Sequence, residues 1–569
     1  MKSLFRYFRN YKKQSILSPV FKCLEACFEL IVPLVIASII DNGIANGDKN
    51  FIVTRVLLLC AFAVIGIVCA ICAQYFAAYA ACGISSDIRF DLFKKISGMS
   101  FEQVENLGGG MLTTSLTADV NQISSGINMV LRLVLRSPLI VLGATIMAFT
   151  VNAQLALIFL GADLILSVFV YLNMRSAIPA YHETRESLDN LASTSSNGLA
   201  GVRVIRGYNR TGDDLQGFRK QSSRLNVLQK YAAGISAGLN PVTYLLINFA
   251  ICFLIYCGAI KVDSGTLTQG EVVALYNYMS QILIELIKFA NTIVIVSRAL
   301  ACADRIAGIL EIPEDTNEYN SSLEQKPHSI SFKDVSYTYT GGSEPAVEDL
   351  TFELEAGKTY GIIGTTGCGK STLASLIGGI YPATTGEILI DGIPMNDVNR
   401  KSLRDGINYA FQKTRMFTGS IRENITLGRN GFTEERIKNI CDISCASDVI
   451  ERKSEGLEYK VEANGSGLSG GQKQRIGIAR ALINPAGLLI LDDSTSALDS
   501  ATEKKLLENL GKMKGEVTSV IISQKIRTVR GADKIMLMDD GKIEAFAPHD
   551  ELLQISEHYR NLCSLQREE

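Results

Sequence analysis

Thr359-Tyr360-Gly361-Ile362-Ile363-Gly364-Thr365-Thr366-Gly367-Cys368-Gly369-Lys370-Ser371-Thr372-Leu373-Ala374-Ser375-Leu376-Ile377 is the stretch that decides the reading of this chain. It opens as a short apolar strand and closes as the first turns of a helix, with G-x-x-x-x-G-K-S between them. That order reads as a phosphate-binding loop. The glycines let successive backbone N–H groups turn toward phosphate oxygens, and the helix N-terminus adds partial positive charge. Lys370 is placed to reach the outer phosphates of a nucleotide, and the Ser371 hydroxyl to ligate Mg²⁺. Gly364, Thr365, Thr366, Gly367, Cys368, Gly369, Lys370, Ser371 and Thr372 are therefore the candidate ATP-binding residues. Cys368 reads as a small residue replacing serine; the alternative is a thiol activated by the helix N-terminus, whose alkylation ATP would protect against.

Downstream, Gly487-Leu488-Leu489-Ile490-Leu491-Asp492-Asp493 is a second apolar strand ending in acids. Asp492 falls at its carboxyl end, where a carboxylate can hold the Mg²⁺ water shell beside the phosphate loop. From Ile330 onward, short strand-like and helical patterns alternate, as in an α/β domain built on a mainly parallel sheet.

Upstream of Ile312 the chain changes character. Residues 1–300 hold 25 Lys+Arg and 18 Asp+Glu, whereas residues 301–569 hold 31 and 40, so a net charge of −2 conceals a charge-poor positive half and a charge-rich acidic half. Apolar stretches near 15–40, 55–80, 130–150, 154–174, 233–258 and 270–294 each reach the ~20 residues needed to cross a bilayer as helix. Lys+Arg residues number 17 in 1–14, 81–126 and 175–231, against 2 in 41–54, 151–153 and 259–269. This asymmetry predicts cytoplasmic termini and cytoplasmic long loops. The expected fold class is thus an all-α six-helix transmembrane domain followed by an α/β P-loop NTPase domain. Expected boundaries are an interfacial elbow helix at 1–14, the transmembrane domain at 15–310, a linker at 311–328 and the nucleotide-binding domain at 329–569. Eight of the 13 cysteines lie in or beside apolar runs and read as small hydrophobes. The near-neutral charge and lack of a basic tract argue against nucleic acid as a partner. Membrane lipids are expected partners instead. Ionisable residues within the spans mark a candidate substrate cavity: Glu25, Glu29, Asp163 and Glu285. Helix-to-helix ion pairing is the alternative reading of the same residues.

About twenty residues before the Asp492 strand stands Leu468-Ser469-Gly470-Gly471-Gln472. With this motif the whole chain resembles the ATP-binding cassette (ABC) transporters, in the exporter-type half-transporter arrangement. The resemblance implies an ATPase using ATP and Mg²⁺, and roles for further residues: Tyr339 stacking on adenine, Gln412 sensing Mg²⁺, and Ser496-Ala497-Leu498-Asp499 crossing to a partner cassette. Loops near 109–116 and 207–216 match the family's coupling helices. Leu468 to Gln472 would complete the nucleotide site of a second chain. Cargo would be a small-molecule, amphipathic, lipidic or peptide substrate, and the location a bacterial cell (inner) membrane.

The chain departs from the family pattern where catalysis is expected. Asp493 stands where the family has a catalytic glutamate, and Gln524 where it has a histidine that contacts the γ-phosphate. In Val461-Glu462-Ala463-Asn464-Gly465, the usual glycine-glutamate pair is also altered. Two losses at one nucleotide site, with an intact phosphate loop and signature, match the degenerate-site subunit of a heterodimeric exporter, whose partner is a different ABC half-transporter. A homodimer carrying neutral variants, an importer on the same fold, and an ATP-sensing membrane protein without transport remain alternatives.

Overall fold

A computed structural model describes residues 2–313 and 321–566, and their side chains except at 2–4, 239, 240 and 290. The stretch 314–320, within the expected linker, lies outside the described residues. The chain divides into two compact units, Met1–Ile96 with Gly110–Ile312, and Ser97–Gly109 with Pro313–Glu569.

The first unit is helical. Among the described residues, five helical segments are long and apolar enough to cross a membrane: Phe5–Ile44, Lys49–Ser97, Gly109–Val151, Ala153–Ala200 and Thr211–Asp263. The sixth expected span falls in the helix Gln269–Glu311, which carries Glu271, Glu285 and Lys288 among its apolar residues. Side chains are partitioned unlike those of a soluble bundle. Small residues such as Ala26, Ala144 and Ala274 sit in the core with Phe159, Tyr278 and Met279, while Leu57, Val64 and Ile71 are each more than 60 % exposed on the outside. Small residues inside let helix backbones approach, and an apolar exterior is the arrangement that lipid favours.

Proline explains one interhelical bond. Pro33 lies inside the helix Lys12–Ser38, and lacking an N–H it leaves the Glu29 carbonyl without its usual intrahelical donor. Gln281 Nε2 donates to that oxygen at 3.4 Å, and Tyr278 OH donates to the Leu30 carbonyl at 2.7 Å. At the other end of the same helix pair, Asp41 accepts from Thr268 Oγ1 (2.6 Å) and from the Gly270 N–H (2.8 Å), capping the helix Gln269–Glu311.

The second unit contains three sheets. In the four-stranded sheet, β1 (Ile330–Tyr337) pairs antiparallel with β2 (Val347–Leu354) and β4 (Thr385–Ile390), with β5 (Ile393–Pro394) at the edge. The six-stranded sheet has the order β12-β11-β3-β10-β9-β6, from β3 (Thr359–Gly364), β6 (Ile407–Ala410), β9 (Leu488–Asp492), β10 (Thr518–Ile522), β11 (Lys534–Asp539) and β12 (Lys542–Ala547). All its pairings are parallel except β11 with β12. A small pair, β7 (Gly419–Ser420) and β8 (Lys460–Val461), completes the set. Strands β9 and β10 are buried at every position, which accounts for the apolar runs 488–491 and 520–522 within them.

A short helix from the other half of the sequence belongs to this unit. Phe101–Leu107 starts with a capping box between Ser100 and Gln103 and stops at Gly108, whose φ is +75°. Glu105 accepts from Tyr381 OH at 2.9 Å, Glu102 from Thr340 Oγ1, and Gln103 Nε2 donates to the Pro313 carbonyl at 3.2 Å. Arg404 lies over the Phe101 ring at 5.7 Å. The segment that docks on the cassette is therefore 101–107, ahead of the expected 109–116. Gly108 ends the docking helix, Gly109 and Gly110 open the next helix, Gly109–Thr114, and residues from Gly110 on belong to the first unit. The other expected coupling segment, 207–216, spans the end of the helix Val202–Gly207 and the start of Thr211–Ala237, also within the first unit.

Candidate nucleotide site

Strand order assembles the site. Because β3, β10 and β9 are neighbours and parallel, their carboxyl ends lie side by side. The phosphate loop leaves β3, Gln524 follows β10, and Asp492 and Asp493 end β9. Ligands of open α/β sheets bind at such carboxyl ends. A cleft of about 400 Å³ lies there, lined by Tyr339, Lys370, Ser371, Gln412, Asp493 and Gln524 among others.

The loop has the conformation its glycines predict. Gly369 adopts φ +93°, and a Cβ there would stand 2.6 Å from the Ala346 carbonyl oxygen, so no other residue fits without displacement. Lys370 Nζ donates to the carbonyls of Gly364 (2.9 Å) and Thr365 (2.5 Å), which holds the ammonium within the loop. Cys368 is only 3 % exposed, with its sulfur 3.6 Å from Lys370 Nζ. The side chain packs behind the loop, in keeping with a small residue in the place of a serine. Maleimide labelling of Cys368 in the folded, nucleotide-free protein should be slow and accelerate only in denaturant, as followed by peptide mass spectrometry.

Ser371 Oγ donates to Asp492 Oδ1 at 3.0 Å and Tyr409 OH to Asp492 Oδ2 at 3.1 Å. Burial pushes the Asp492 carboxyl above its usual range, against the two hydroxyls that donate to it, and burial likewise pushes the Tyr409 phenol up. Tyr409 thus stays a donor. A serine hydroxyl paired with a buried carboxylate is a hard-oxygen set of the kind Mg²⁺ takes with nucleotide phosphates, so these residues fit that ion. Asp493 has φ +46°, and its Oδ2 accepts from Gln412 Nε2 at 3.1 Å. Tyr339 OH bonds Thr372 Oγ1 at 3.0 Å, and its ring meets Tyr337 and Tyr381 edge-on.

The signature residues lie elsewhere. None of Leu468 to Gln472 lines the cleft described above. Ser469 caps the helix Gly470–Leu482 in a reciprocal box with Gln472. Gly471 abuts Ala497, and Gln474 bonds both Ser496 Oγ (3.0 Å) and the Ala497 N–H (2.9 Å). Ser496 Oγ in turn donates to the Asp493 carbonyl at 2.9 Å. Leu498 is buried, and Asp499 caps the helix Ser500–Gly511 through Thr502. The signature helix and the loop Ser496–Asp499 therefore form one bonded block that reaches Asp493. Tyr409 and Gln474 were missed from sequence. Tyr409 carries a signal, since it lies three residues before Gln412 at a strand end, but its partner Asp492 is identified only by the β6–β9 pairing.

Residues 15–286 match the family described as ABC transporter transmembrane region, and residues 347–496 match the ABC transporter family. The ABC transporter ATP-binding protein YfiB of Bacillus subtilis (strain 168) is 32% identical over 566 residues, covering 100% of this chain and 98% of its own length. The chain belongs to the ABC transporter family. It is also 25% identical over 566 residues to the ATP-dependent lipid A-core flippase of Vibrio parahaemolyticus, covering 99% and 97% of the two chains. A bacterial Atm1-family ABC exporter solved with ATP bound has the same fold, with TM-score 0.84, 20% identity and 99% of each chain covered. The chain is thus an ABC-type ATPase with a helical transmembrane domain followed by an ABC cassette.

The four ionisable residues expected in the substrate cavity occupy three places. Glu25 pairs with Lys22 at 2.6 Å. Glu29 and the buried Glu285 both engage Arg136, at 2.6 and 2.5 Å, and Glu285 also accepts from Ser137 (2.8 Å) and Lys288 (2.9 Å). Asp163 accepts from Thr145 at 3.1 Å, and its other oxygen has no partner among the described residues.

Proposed function

We propose that the chain is one subunit of a heterodimeric ABC exporter: six spans, both termini and the cassette on the cytoplasmic side of a bacterial inner membrane, and an amphipathic, lipidic or peptide cargo. The observation that carries this reading is the composition of the cleft. Phosphate-loop residues, Tyr339, Gln412 and Asp492, which would bind nucleotide, line it, while the two positions that would drive hydrolysis hold Asp493 and Gln524. Aspartate is one methylene shorter than glutamate, and its Oδ2 is engaged by Gln412. A displacement of ~1 Å can cost about a hundredfold in rate, and loss of a general base ~10² to 10⁴. Lys370 and the loop N–H groups would hold the phosphates, Tyr339 would stack on the base, and Ser371, Gln412 and Asp492 would hold Mg²⁺. When bound, that ion neutralises phosphate charge. The location of Leu468 to Gln472 away from their own chain's cleft supports a second cassette completing the site. The partner would be a different half-transporter supplying Glu and His. Lipid-like cargo is supported by the likeness to the Vibrio flippase.

Reconstitution tests the reading. The full chain alone in proteoliposomes should hydrolyse ATP ~10²-fold or more below its complex with the partner. Asp493→Glu should change the turnover of that complex by less than about threefold, and Glu→Gln at the matching partner position by ~10² or more. Fast turnover of the chain alone, or equal effects of the two substitutions, would refute the asymmetry.

A further inference from the structure

Outside the cleft, one buried carboxylate holds two of the site's loops together. Glu503, in the first turns of the helix Ser500–Gly511, is 2 % exposed. Its Oε1 accepts from Thr495 Oγ1 at 2.8 Å and from Thr528 Oγ1 at 2.9 Å, and its Oε2 from Arg527 Nε at 3.2 Å. Lys525 Nζ approaches the same oxygen at 3.9 Å. Thr495 lies two residues beyond Asp493. Lys525, Arg527 and Thr528 lie one, three and four residues after Gln524. On the other flank of the same segment, Gln566 Nε2 donates to the Gln524 carbonyl at 2.9 Å, and its Oε1 accepts from the Ile526 N–H at 2.8 Å. The amide therefore clamps the backbone on both sides of Lys525. The Gln524 side chain lines the cleft and is exposed, so its direction is set by a backbone held by Glu503 and Gln566.

We propose that Glu503 and Gln566 are positioning residues that aim Gln524 at the γ-phosphate end of the nucleotide cleft. A carboxylate in an apolar setting is costly unless fully bonded, and here all its bonds go to the two segments whose spacing the site depends on. The amide of Gln566 serves the same segment from the opposite end of the sequence. Neither residue touches nucleotide. The inference rests on reading Gln524 as the group that meets the γ-phosphate.

The test separates that reading from the positioning itself. ATP and ADP affinities are titrated with Mg²⁺ on the full-length chain in nanodiscs, and the ratio Kd(ADP)/Kd(ATP) is compared among variants. Gln524→Ala should lower the ratio by about tenfold, the loss of one hydrogen bond to a charged group. Glu503→Gln, which keeps an acceptor for the threonines but gives up the Arg527 pairing, should lower it severalfold while ADP affinity stays within about twofold. Gln566→Ala should do the same, and because Gln566 is exposed just beyond the helix Glu557–Leu565 its loss leaves the fold intact if Glu503→Gln does not. Equal weakening of ATP and ADP in both variants would mean a merely structural role and overturn the proposal. If Gln524→Ala lowers the ratio while neither positioning variant does, the proposal fails and the γ-phosphate reading stands. An unchanged ratio in Gln524→Ala overturns both.

Discussion

Gly471→Ala in this chain should reduce the ATPase of its complex with the partner by about a hundredfold or more, the scale expected when reacting groups are displaced by ~1 Å. A Cβ at Gly471 would stand 2.7 Å from the Ala497 carbonyl oxygen. Relief requires the signature helix to retreat from the loop Ser496–Asp499, or that loop to move with it. Both are tied through Gln474 and Ser496 to the backbone of Asp493, so the strain cannot be absorbed within one turn. By the proposed assignment this surface completes the competent site of the partner. Lys370→Ala, which on the same proposed assignment damages the poorly hydrolysing site, should cost less than about tenfold in the same assay. Steady-state phosphate release from the reconstituted complex measures both. A larger effect of Lys370→Ala than of Gly471→Ala would reverse the assignment of the two sites.

The second large effect concerns stability. Arg136→Met should destabilise the membrane unit by about 3–5 kcal/mol, the range for removing one partner of a buried ion pair. The substitution leaves Glu285, which is 3 % exposed, with Ser137 and with Lys288 from its own helix. Glu29 also loses Arg136, and its side chain is 46 % exposed, against 4 % for that of Glu285. The double variant Arg136→Met/Glu285→Gln removes both charges and should recover most of the loss. Thermal unfolding in detergent micelles distinguishes the cases. A single variant as stable as the parent would mean that the ion pairs do not join the helices, whereas recovery in the double variant isolates the cost of the stranded carboxylate.

These residues also show where sequence reading stops. The spacing of Glu25 and Glu29, and of Glu285 and Lys288, places each pair on one helix face. That Arg136 stands between Glu29 and Glu285 depends on the packing of three helices separated by more than a hundred residues. The capping box at Ser100 and Gln103 is local and readable, yet that this short helix packs with Thr340 and Tyr381 is not. Likewise the burial of Glu503 follows from Thr495, in the turn after β9, and Thr528, in the helix Ile526–Val529 after β10, approaching it together.

The sequence by itself determined the division into an apolar helical half and an α/β cassette, the phosphate loop, Asp492, the signature, and the substitutions at Asp493 and Gln524. Each of these is written in contiguous residues, as a hydropathy period or as a short loop whose chemistry requires fixed spacing. Only the tertiary structure decided that Tyr409 holds Asp492, that Cys368 is packed behind its loop, that the docking helix is 101–107, and that Glu503 and Gln566 hold the Gln524 segment. These pairings join residues far apart in the chain, and the order of strands and the packing of helices, not local propensity, bring them within hydrogen-bonding distance.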